Sequence, residues 1–324
     1  MDKTPPHHLY IHVPFCANKC PYCAFYSAAV APDWDAYADG IIKSVARQPR
    51  CRVPTIFFGG GTPSLMPTDI LAKILGAIGK HFLVADGAEI TIECNPRSAN
   101  LADYKALGIT RISIGAQSFD DGHLRFLGRI HTAKQARLAL DAALDAGFET
   151  SADFIYALPG QSVDDVARLC EEIKKIGLRH ASLYEITPEA NPKFSPSDSA
   201  ADMWLEIGRQ LRRYEISNYA RPGHECRHNS GVWDGEPYIG LGAGAAGRLF
   251  DGENWFEQFS GAIKPMTARD RAIEKVITGL RTARGVKLAP DVLEVLKTPP
   301  SGERLALGES DMLILDSKLV DMVK

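Results

Sequence analysis

The chain has 324 residues, 45% hydrophobic and 24% charged side chains, and a formal net charge of −3. So ordinary a composition supports one large α/β domain with an appendage, or two domains, and argues against disorder. Lysine and arginine are dispersed, so there is no basic face and no nucleic-acid partner is expected. Residues 1–8 hold no apolar leader core, and no apolar run is long enough to span a bilayer. A soluble cytoplasmic protein is expected, with peripheral membrane contact left open. Seven cysteines, three of them within eight residues, do not suit a secreted disulfide framework.

Short β-branched or aromatic runs alternate with longer amphipathic ones through the first two-thirds of the chain, as in βα units on a parallel sheet. The first strand is predicted over 9–13. A helix follows in which Trp34, Tyr37, Ile41, Ile42 and Val45 make one apolar stripe, and these aromatics read as core. Strands at 55–58, 89–93, 111–115, 151–156 and 181–186 alternate with helices at 68–80, 99–107, 133–146, 163–176 and 198–213. Gly108, Gly147 and Gly177 stand where helix C-termini favour glycine. Six such units with short connections predict a partial, open (β/α)6 barrel of the TIM-like kind, with its chemistry at the C-terminal strand ends. This domain is placed at 1–220. Residues 214–219 read as an edge strand, 221–260 as a loop-rich connection, and 261–324 as a small, mostly helical C-terminal domain with Ile273, Val276, Ile277 and Leu280 on one face.

Cys16-Ala-Asn-Lys-Cys20-Pro-Tyr-Cys23 follows the first strand directly and puts three thiols in one loop. A four-iron, four-sulfur cluster usually takes four cysteines, so three leave one iron open. An open iron can take the amino and carboxylate groups of S-adenosylmethionine (SAM) and pass an electron into the sulfonium, giving methionine and a 5′-deoxyadenosyl radical. Zinc is the competing reading, but the second close-spaced hook that zinc knuckles use is missing from the sequence. Cys51, Cys94, Cys170 and Cys226 stand apart and read as small buried hydrophobes.

The second strand runs into Gly59-Gly60-Gly61-Thr62-Pro63, where bare backbone can approach a ligand and hold a zwitterionic amino acid group. The same run is equally an ordinary tight connection. Glu93, Gln117 and Asp153 fall at or near strand ends. An unpaired carboxylate inside an apolar strand is costly, which favours ligand contact for Glu93 and Asp153; Gln117 is neutral between the two readings. Arg129 has the fork to hold a carboxylate, although a lone loop arginine is more often a surface group.

Ordered segments carry a resemblance over nearly the whole chain: Tyr-Ile-His-Val-Pro-Phe-Cys-Ala-Asn-Lys-Cys-Pro-Tyr-Cys-Ala-Phe from Tyr10, Gly-Gly-Gly-Thr-Pro-Ser from Gly59, Ile-Glu-Cys-Asn-Pro from Ile92 and Ile-Gly-Ala-Gln-Ser-Phe from Ile114. Leu-Gly-Arg-Ile-His from Leu127, Asp-Phe-Ile-Tyr-Ala-Leu-Pro-Gly-Gln from Asp153 and Tyr-Glu-Ile-Ser-Asn-Tyr-Ala from Tyr214 continue it. The chain resembles the coproporphyrinogen oxidase-like radical SAM proteins and, within them, the haem-chaperone branch. The resemblance implies one 4Fe-4S cluster on Cys16, Cys20 and Cys23. It also implies SAM contacts at Tyr10, Tyr22, Gly60, Gly61, Thr62, Glu93, Gln117, Arg129 and Asp153, of which Tyr10 and Tyr22 rest on resemblance alone.

In the oxidases a fourth cysteine stands two positions after the third; here that position is Phe25. The chaperone branch has Tyr before the third cysteine and Phe two after it, as Tyr22 and Phe25 do. That branch also carries an HNxxYW-type motif linked to haem, similar to Cys226-Arg227-His228-Asn229-Ser230-Gly231-Val232-Trp233, with Val232 in place of its Tyr. Gly244-Ala245-Ala246 likewise departs from its Gly-Ala-His. The resemblance implies haem as cargo, haem-accepting respiratory proteins as partners, a flavodoxin or ferredoxin as electron donor, and His228 and Cys226 as haem contacts. Oxidative decarboxylation of coproporphyrinogen III is the alternative, and a zinc-bound structural module the remote one. No feature of the sequence fixes an oligomeric state.

Overall fold

The computed structural model describes residues 5–188, 191–298 and 300–324. Strands β1 (His8–Val13), β2 (Arg52–Gly60), β3 (Leu83–Cys94), β4 (Arg111–Gln117), β5 (Glu149–Tyr156) and β6 (His180–Glu185) pair in chain order, all parallel. Parallel neighbours cannot be joined by a hairpin, so helices make the crossovers. These are α1 (Trp34–Ala46), α2 (Thr68–His81), α3 (Leu101–Ala106), α4 (Asp121–Phe126), α5 (Ala133–Asp145) and α6 (Val163–Ile176), with α7 (Ala200–Gln210) after β6.

Alternation along each strand divides the residues between two environments. Leu9, Ile11 and Val13 of β1 share one core with Ile41 and Val45 of α1 and Ile70, Ile74 and Ile78 of α2. His8, Tyr10 and His12 take the other face, inside the barrel. Cys51, Cys94 and Cys170 join the apolar core, as expected of isolated cysteines. Helix α6 begins and ends where predicted, because Ser162 and Asp165 cap each other's backbone reciprocally and Gly177 closes the end with φ 87°. Helix α4, with its backbone capped by the Asp120 side chain, is too short to show a helical period in the sequence.

The partial barrel is extended on both sides. The expected edge strand at 214–219 is a hairpin of β7 (Arg213–Glu215) and β8 (Asn218–Ala220), in which β8 pairs antiparallel with β6. Residues 221–260, expected to be a loop-rich connection, form regular elements instead: α8 (Arg227–Trp233), β9 (Tyr238–Leu241), β10 (Ala246–Phe250) and β11 (Trp255–Phe259). Strand β9 adds parallel to β1, and β10, β11 and β12 (Ala262–Met266) continue antiparallel. Strands of four or five residues interrupted by glycine are below the length at which alternation is legible.

The sheet therefore reaches residue 266, past the expected boundary. The helical unit comprises α9 (Ala268–Leu280), α10 (Pro290–Val295), α11 (Glu309–Met312) and α12 (Leu315–Met322), with a small ribbon of β13 (Val286–Lys287) and β14 (Arg304–Leu305). Val276, Leu280, Val292, Val295 and Leu315 form its own core, whereas Ile277, expected on the same face, is exposed.

Candidate functional site at the C-terminal strand ends

Cys16, Cys20 and Cys23 lie in the loop between β1 and α1, which is held by backbone bonds together with Lys19 Nζ donating to Ser27 O (2.9 Å) and Asn18 Nδ2 donating to Gly128 O (3.2 Å). Cys16 N–H donates to Ala28 O (3.0 Å), Ala28 N–H to Pro14 O (2.8 Å) and Cys23 N–H to Cys20 O (3.1 Å). The glycine run at the end of β2 clasps this loop: Gly61 N–H donates to Val13 O and Thr62 N–H to Phe15 O, both at 2.8 Å. A Cβ on Gly61 would stand 2.7 Å from Phe15 O, and one on Gly60 (φ 111°) would stand 2.6 Å from the His12 ring. Both positions therefore require glycine, so that the two loops can touch.

All three cysteines are unpaired; Cys20 is buried and the other two half-buried. Burial pushes the Cys23 thiol up, and the neighbouring Cys20 and Cys16 add to it, so this thiol resists ionising without positive charge nearby. Arg129, just after α4, donates from Nη1 to Cys20 Sγ (3.3 Å) and from Nη2 to Gly115 O (3.2 Å). Its Nε is buried and has no partner among the described residues. Burial works against its charge, but Tyr22 and Cys20 beside it hold the guanidinium above its usual range. No three His, Cys, Asp or Glu side chains among the described residues close on a single ion. A 4Fe-4S cluster needs a wider triangle, with one thiolate on each of three irons. Three free thiols beside a cation with a spare donor suit such a cluster and an anionic ligand group better than they suit zinc.

Two carboxyls follow. Glu93 on β3 accepts Gly60 N–H (3.0 Å), and Asp153 on β5 accepts Ser113 Oγ–H (3.1 and 3.2 Å). Burial, with Asp153 adding and Gly60 opposing, pushes Glu93 up to about 8. Burial also pushes Asp153 up to about 6, against the pull of Ser182, Ser113 and Arg129. Both side chains are enclosed by protein yet touched by solvent, as groups lining a cleft are. A cation placed between them would let both ionise.

Gln117 ends β4 with φ 63°, a left-handed conformation rarely taken by a residue with a side chain and typical of strained ligand sites. The Tyr10 hydroxyl meets His12 Nδ1 at 2.9 Å, and its ring stacks on Phe57 with centroids 6.2 Å apart. Burial drives the Tyr10 and Tyr22 phenols far up, and Tyr22 meets Phe194 edge-on at 6.1 Å. The sequence-predicted residues Cys16, Cys20, Cys23, Tyr10, Tyr22, Gly60, Gly61, Thr62, Glu93, Gln117, Arg129 and Asp153 thus gather at one end of the barrel. Sequence reasoning missed Ser113, Ser182 and His12; the available signal was a polar side chain at two-residue spacing on the inward face.

Cys226 and His228 do not join them. Helix α8 closes the opposite end, where Glu89 accepts Arg227 N–H (3.2 Å), His228 N–H (3.0 Å) and the Cys226 thiol (3.4 Å), and pairs with Arg111 Nε (2.9 Å). Cys226 is 3% and His228 5% exposed. Neither residue presents an exposed face on which a planar macrocycle could lie.

Residues 10–173 match the radical SAM superfamily. The haem chaperone HemW of Escherichia coli (strain K12) is 37% identical over 271 residues, which cover 77% of this chain and 72% of that protein. This chain belongs to the HemW family of radical SAM proteins. HemW of Synechocystis sp. (strain ATCC 27184 / PCC 6803 / Kazusa) is 34% identical, covering 86% of this chain and 79% of its own length. HemW of Mycobacterium tuberculosis (strain ATCC 25618 / H37Rv) is 33% identical, covering 88% and 84%. The solved structure of coproporphyrinogen III oxidase (HemN) from Escherichia coli, a radical SAM enzyme, superposes with a TM-score of 0.77 over 99% of this chain and 90% of that one. At 18% identity that is a likeness of fold. Membership of the radical SAM superfamily implies a 4Fe-4S cluster and SAM. Among the described residues, no helix is long and apolar enough to cross a membrane.

Proposed function

We propose that this chain is a radical SAM-type haem chaperone of the cytoplasm, which binds haem and passes it to haem-dependent respiratory proteins. The observation that carries the cofactor reading is the clasped loop of three free thiols beside Arg129, whose buried Nε lacks a partner among the described residues. Cys16, Cys20 and Cys23 would hold the cluster. Arg129 offers its spare donor to the SAM carboxylate, Glu93 and Asp153 balance the positive groups, and Gln117 supplies an amide at the same rim. Tyr10 and Tyr22 close the sides and keep water out. When bound, the cluster supplies an electron to the sulfonium of SAM, itself drawn from a flavodoxin or ferredoxin.

The haem reading is supported by the HemW relatives and by Phe25, which is 66% exposed where the oxidases place a fourth cysteine. Anaerobic reconstitution, iron counting and haem titration test it. The protein should take up about four irons, lose them in the Cys16→Ala/Cys20→Ala/Cys23→Ala triple variant, and develop a Soret band that passes to an apo-haem protein. His228→Ala should leave that band in place, because His228 belongs to the barrel floor. Absence of haem uptake defeats the chaperone reading. Anaerobic turnover of coproporphyrinogen III with SAM and a reductant would put the oxidase reading in its place.

A further inference from the structure

The cysteine loop has an outer face that the SAM reading leaves unused. Residues 14–32 carry a single charged side chain, Lys19. Two aromatics of the loop turn inward, where Phe15 packs on Trp34 and Tyr22 on Phe194. Three other large apolar side chains lie open to water: Phe25 is 66%, Tyr26 61% and Val30 56% exposed. Exposed apolar groups gathered on one loop mark a surface that meets another molecule. The face is held in shape before anything binds. His12 Nε2–H donates to Tyr26 O (2.8 Å), and Lys19 Nζ donates to Phe25 O (3.4 Å) and Ser27 O (2.9 Å). The Tyr26 ring lies over Gly244, where a Cβ would stand 2.7 Å from it.

Cations border this face. Lys19 lies within the loop itself. Asn18 Nδ2 donates to Gly128 O (3.2 Å), and Arg97 Nη1 donates to Ile130 O (3.0 Å) two residues further on, which brings Arg97 to the edge of the loop. A series of rings does the same for Lys193: Tyr22 meets Phe194, Phe194 meets Phe126 with centroids 5.0 Å apart, and Lys193 Nζ stands 6.0 Å from the Phe126 centroid. Lys19, Arg97 and Lys193 are all exposed, and none pairs with a carboxylate among the described residues. The acids that follow the loop or open α4 are engaged elsewhere. Asp33 caps α1, Asp35 pairs with Lys73, Asp120 caps α4 and Asp121 accepts Ala133 N–H.

We propose that the face formed by Phe25, Tyr26 and Val30, bordered by Lys19, Arg97 and Lys193, docks a small acidic flavoprotein with FMN at its surface, a flavodoxin, as electron donor. The inference rests on the cluster reading of Cys16, Cys20 and Cys23. The face is joined to that site directly, because the Cys23 thiol accepts the Phe25 N–H. Arg129 and Tyr22, on the SAM side, are enclosed by protein, whereas Lys19 and Phe25 face water. A partner protein can therefore reach the loop while SAM fills the mouth. An aromatic centre with a charged border is the anatomy of a protein interface, and the sign of the border selects an acidic partner. A flavodoxin offers the apolar edge of its flavin ring within an acidic surface. A two-iron ferredoxin is acidic too, but it covers its cluster with its own loop and has no ring edge to set against Phe25 and Tyr26.

The step moves one electron and no atoms. The anionic flavin hydroquinone gives up one electron and becomes the neutral semiquinone, and the charge of the site held by the three cysteines falls by one. No bond forms or breaks, and the flavin keeps its protons. The part played by this chain is to seat the ring edge beside Phe25 while Lys19, Arg97 and Lys193 steer the acidic surface around it.

Anaerobic titration of the reconstituted full chain with purified FMN-loaded flavodoxin tests the docking without turnover, with calorimetry for affinity, biolayer interferometry for rates and iron counting as the control. Binding should weaken as salt rises from about 50 mM to about 500 mM. The Arg97→Glu/Lys193→Glu double variant, which touches no bond of the cysteine loop, should weaken binding about tenfold through slower association. Phe25→Ser, which keeps the backbone N–H, should weaken it about tenfold through faster dissociation, and Phe25→Tyr should restore it. Iron content should stay at the wild-type level in all three. Wild-type affinity in both the double variant and Phe25→Ser, binding indifferent to salt, or no binding to an iron-loaded chain overturns the proposal. Binding of a two-iron ferredoxin in place of flavodoxin overturns the choice of carrier. A wild-type chain that takes up no iron is seen in the iron count, and it overturns the cluster reading together with the docking.

Discussion

At the floor of the barrel, both Glu89 oxygens are occupied by Arg111, the first backbone N–H groups of α8 and the Cys226 thiol, and His8, Thr55, His228 and Glu236 are hydrogen-bonded in series. At the mouth, Glu93 and Asp153 sit with raised pKa values, Arg129 keeps an unpartnered Nε, Gln117 holds a left-handed backbone and three thiols stand free. Both ends bury polar groups along the same strands. An unsatisfied buried polar group costs about 1–3 kcal/mol, and Arg129 Nε beside two buried carboxyls and a left-handed Gln117 shows what the mouth is built for. Folding completes the floor apart from Arg111 Nη1, which is buried and without a partner among the described residues, and the mouth is completed by what binds there.

Substitutions at the two ends should therefore have unlike effects on the unloaded protein. The largest belongs to the floor. Glu89→Ala strands the buried Arg111 charge and uncaps α8, and should lower stability by about 3–5 kcal/mol in urea denaturation. A loss under 1 kcal/mol, roughly the worth of an exposed pair, would make the two ends alike.

Glu93→Gln should do the reverse in a pH-dependent way. Glu93 stays protonated in the folded chain up to about pH 8, whereas its ordinary value is 4.5. Between those values the unfolded chain holds fewer protons, so wild-type stability falls as pH rises through this window. Thermal melts at pH 5 and pH 8 should show Glu93→Gln losing less than the wild type, by about 1 kcal/mol or more. Gln117→Gly should relieve roughly 1 kcal/mol of backbone strain, visible as a higher urea midpoint, while weakening SAM binding in an equilibrium titration. Smallest of all, the triple cysteine-to-alanine variant should shift the midpoint of the unloaded chain by under about 1 kcal/mol, since apart from the Arg129 contact to Cys20 the loop is held by bonds that use no thiol.

The mouth was far more legible in the sequence than the floor. Three cysteines in one loop, a run of glycines and two carboxylates in apolar strands each break a local pattern, so Cys16, Glu93 and Asp153 announce themselves without a fold. Tyr10 and Tyr22 break no pattern and entered by resemblance alone. In the floor, His8 and Glu236 are 228 positions apart, and neither breaks the pattern around it; only the pairing of β1 with β9, and α8 between them in sequence, brings them together. The six parallel strands were readable because each is followed by a helix with its own period. Strands β9 to β12 were not, because β12 is exposed along most of its length and contains Pro265, so it lacks the apolar alternation of a buried strand.

The clasp between the glycine run and the cysteine loop bears on how the protein matures. In a small zinc-organised domain, metal arrival and folding are the same event, and a chelator unfolds the chain. Here Gly61 and Thr62 fasten the loop through main-chain bonds to Val13 and Phe15, which no sulfur atom takes part in. The polypeptide can thus reach its final shape on the ribosome's timetable and wait for iron. A chain stripped of iron should therefore keep its fold and accept iron again, which limited proteolysis of the unloaded protein would show.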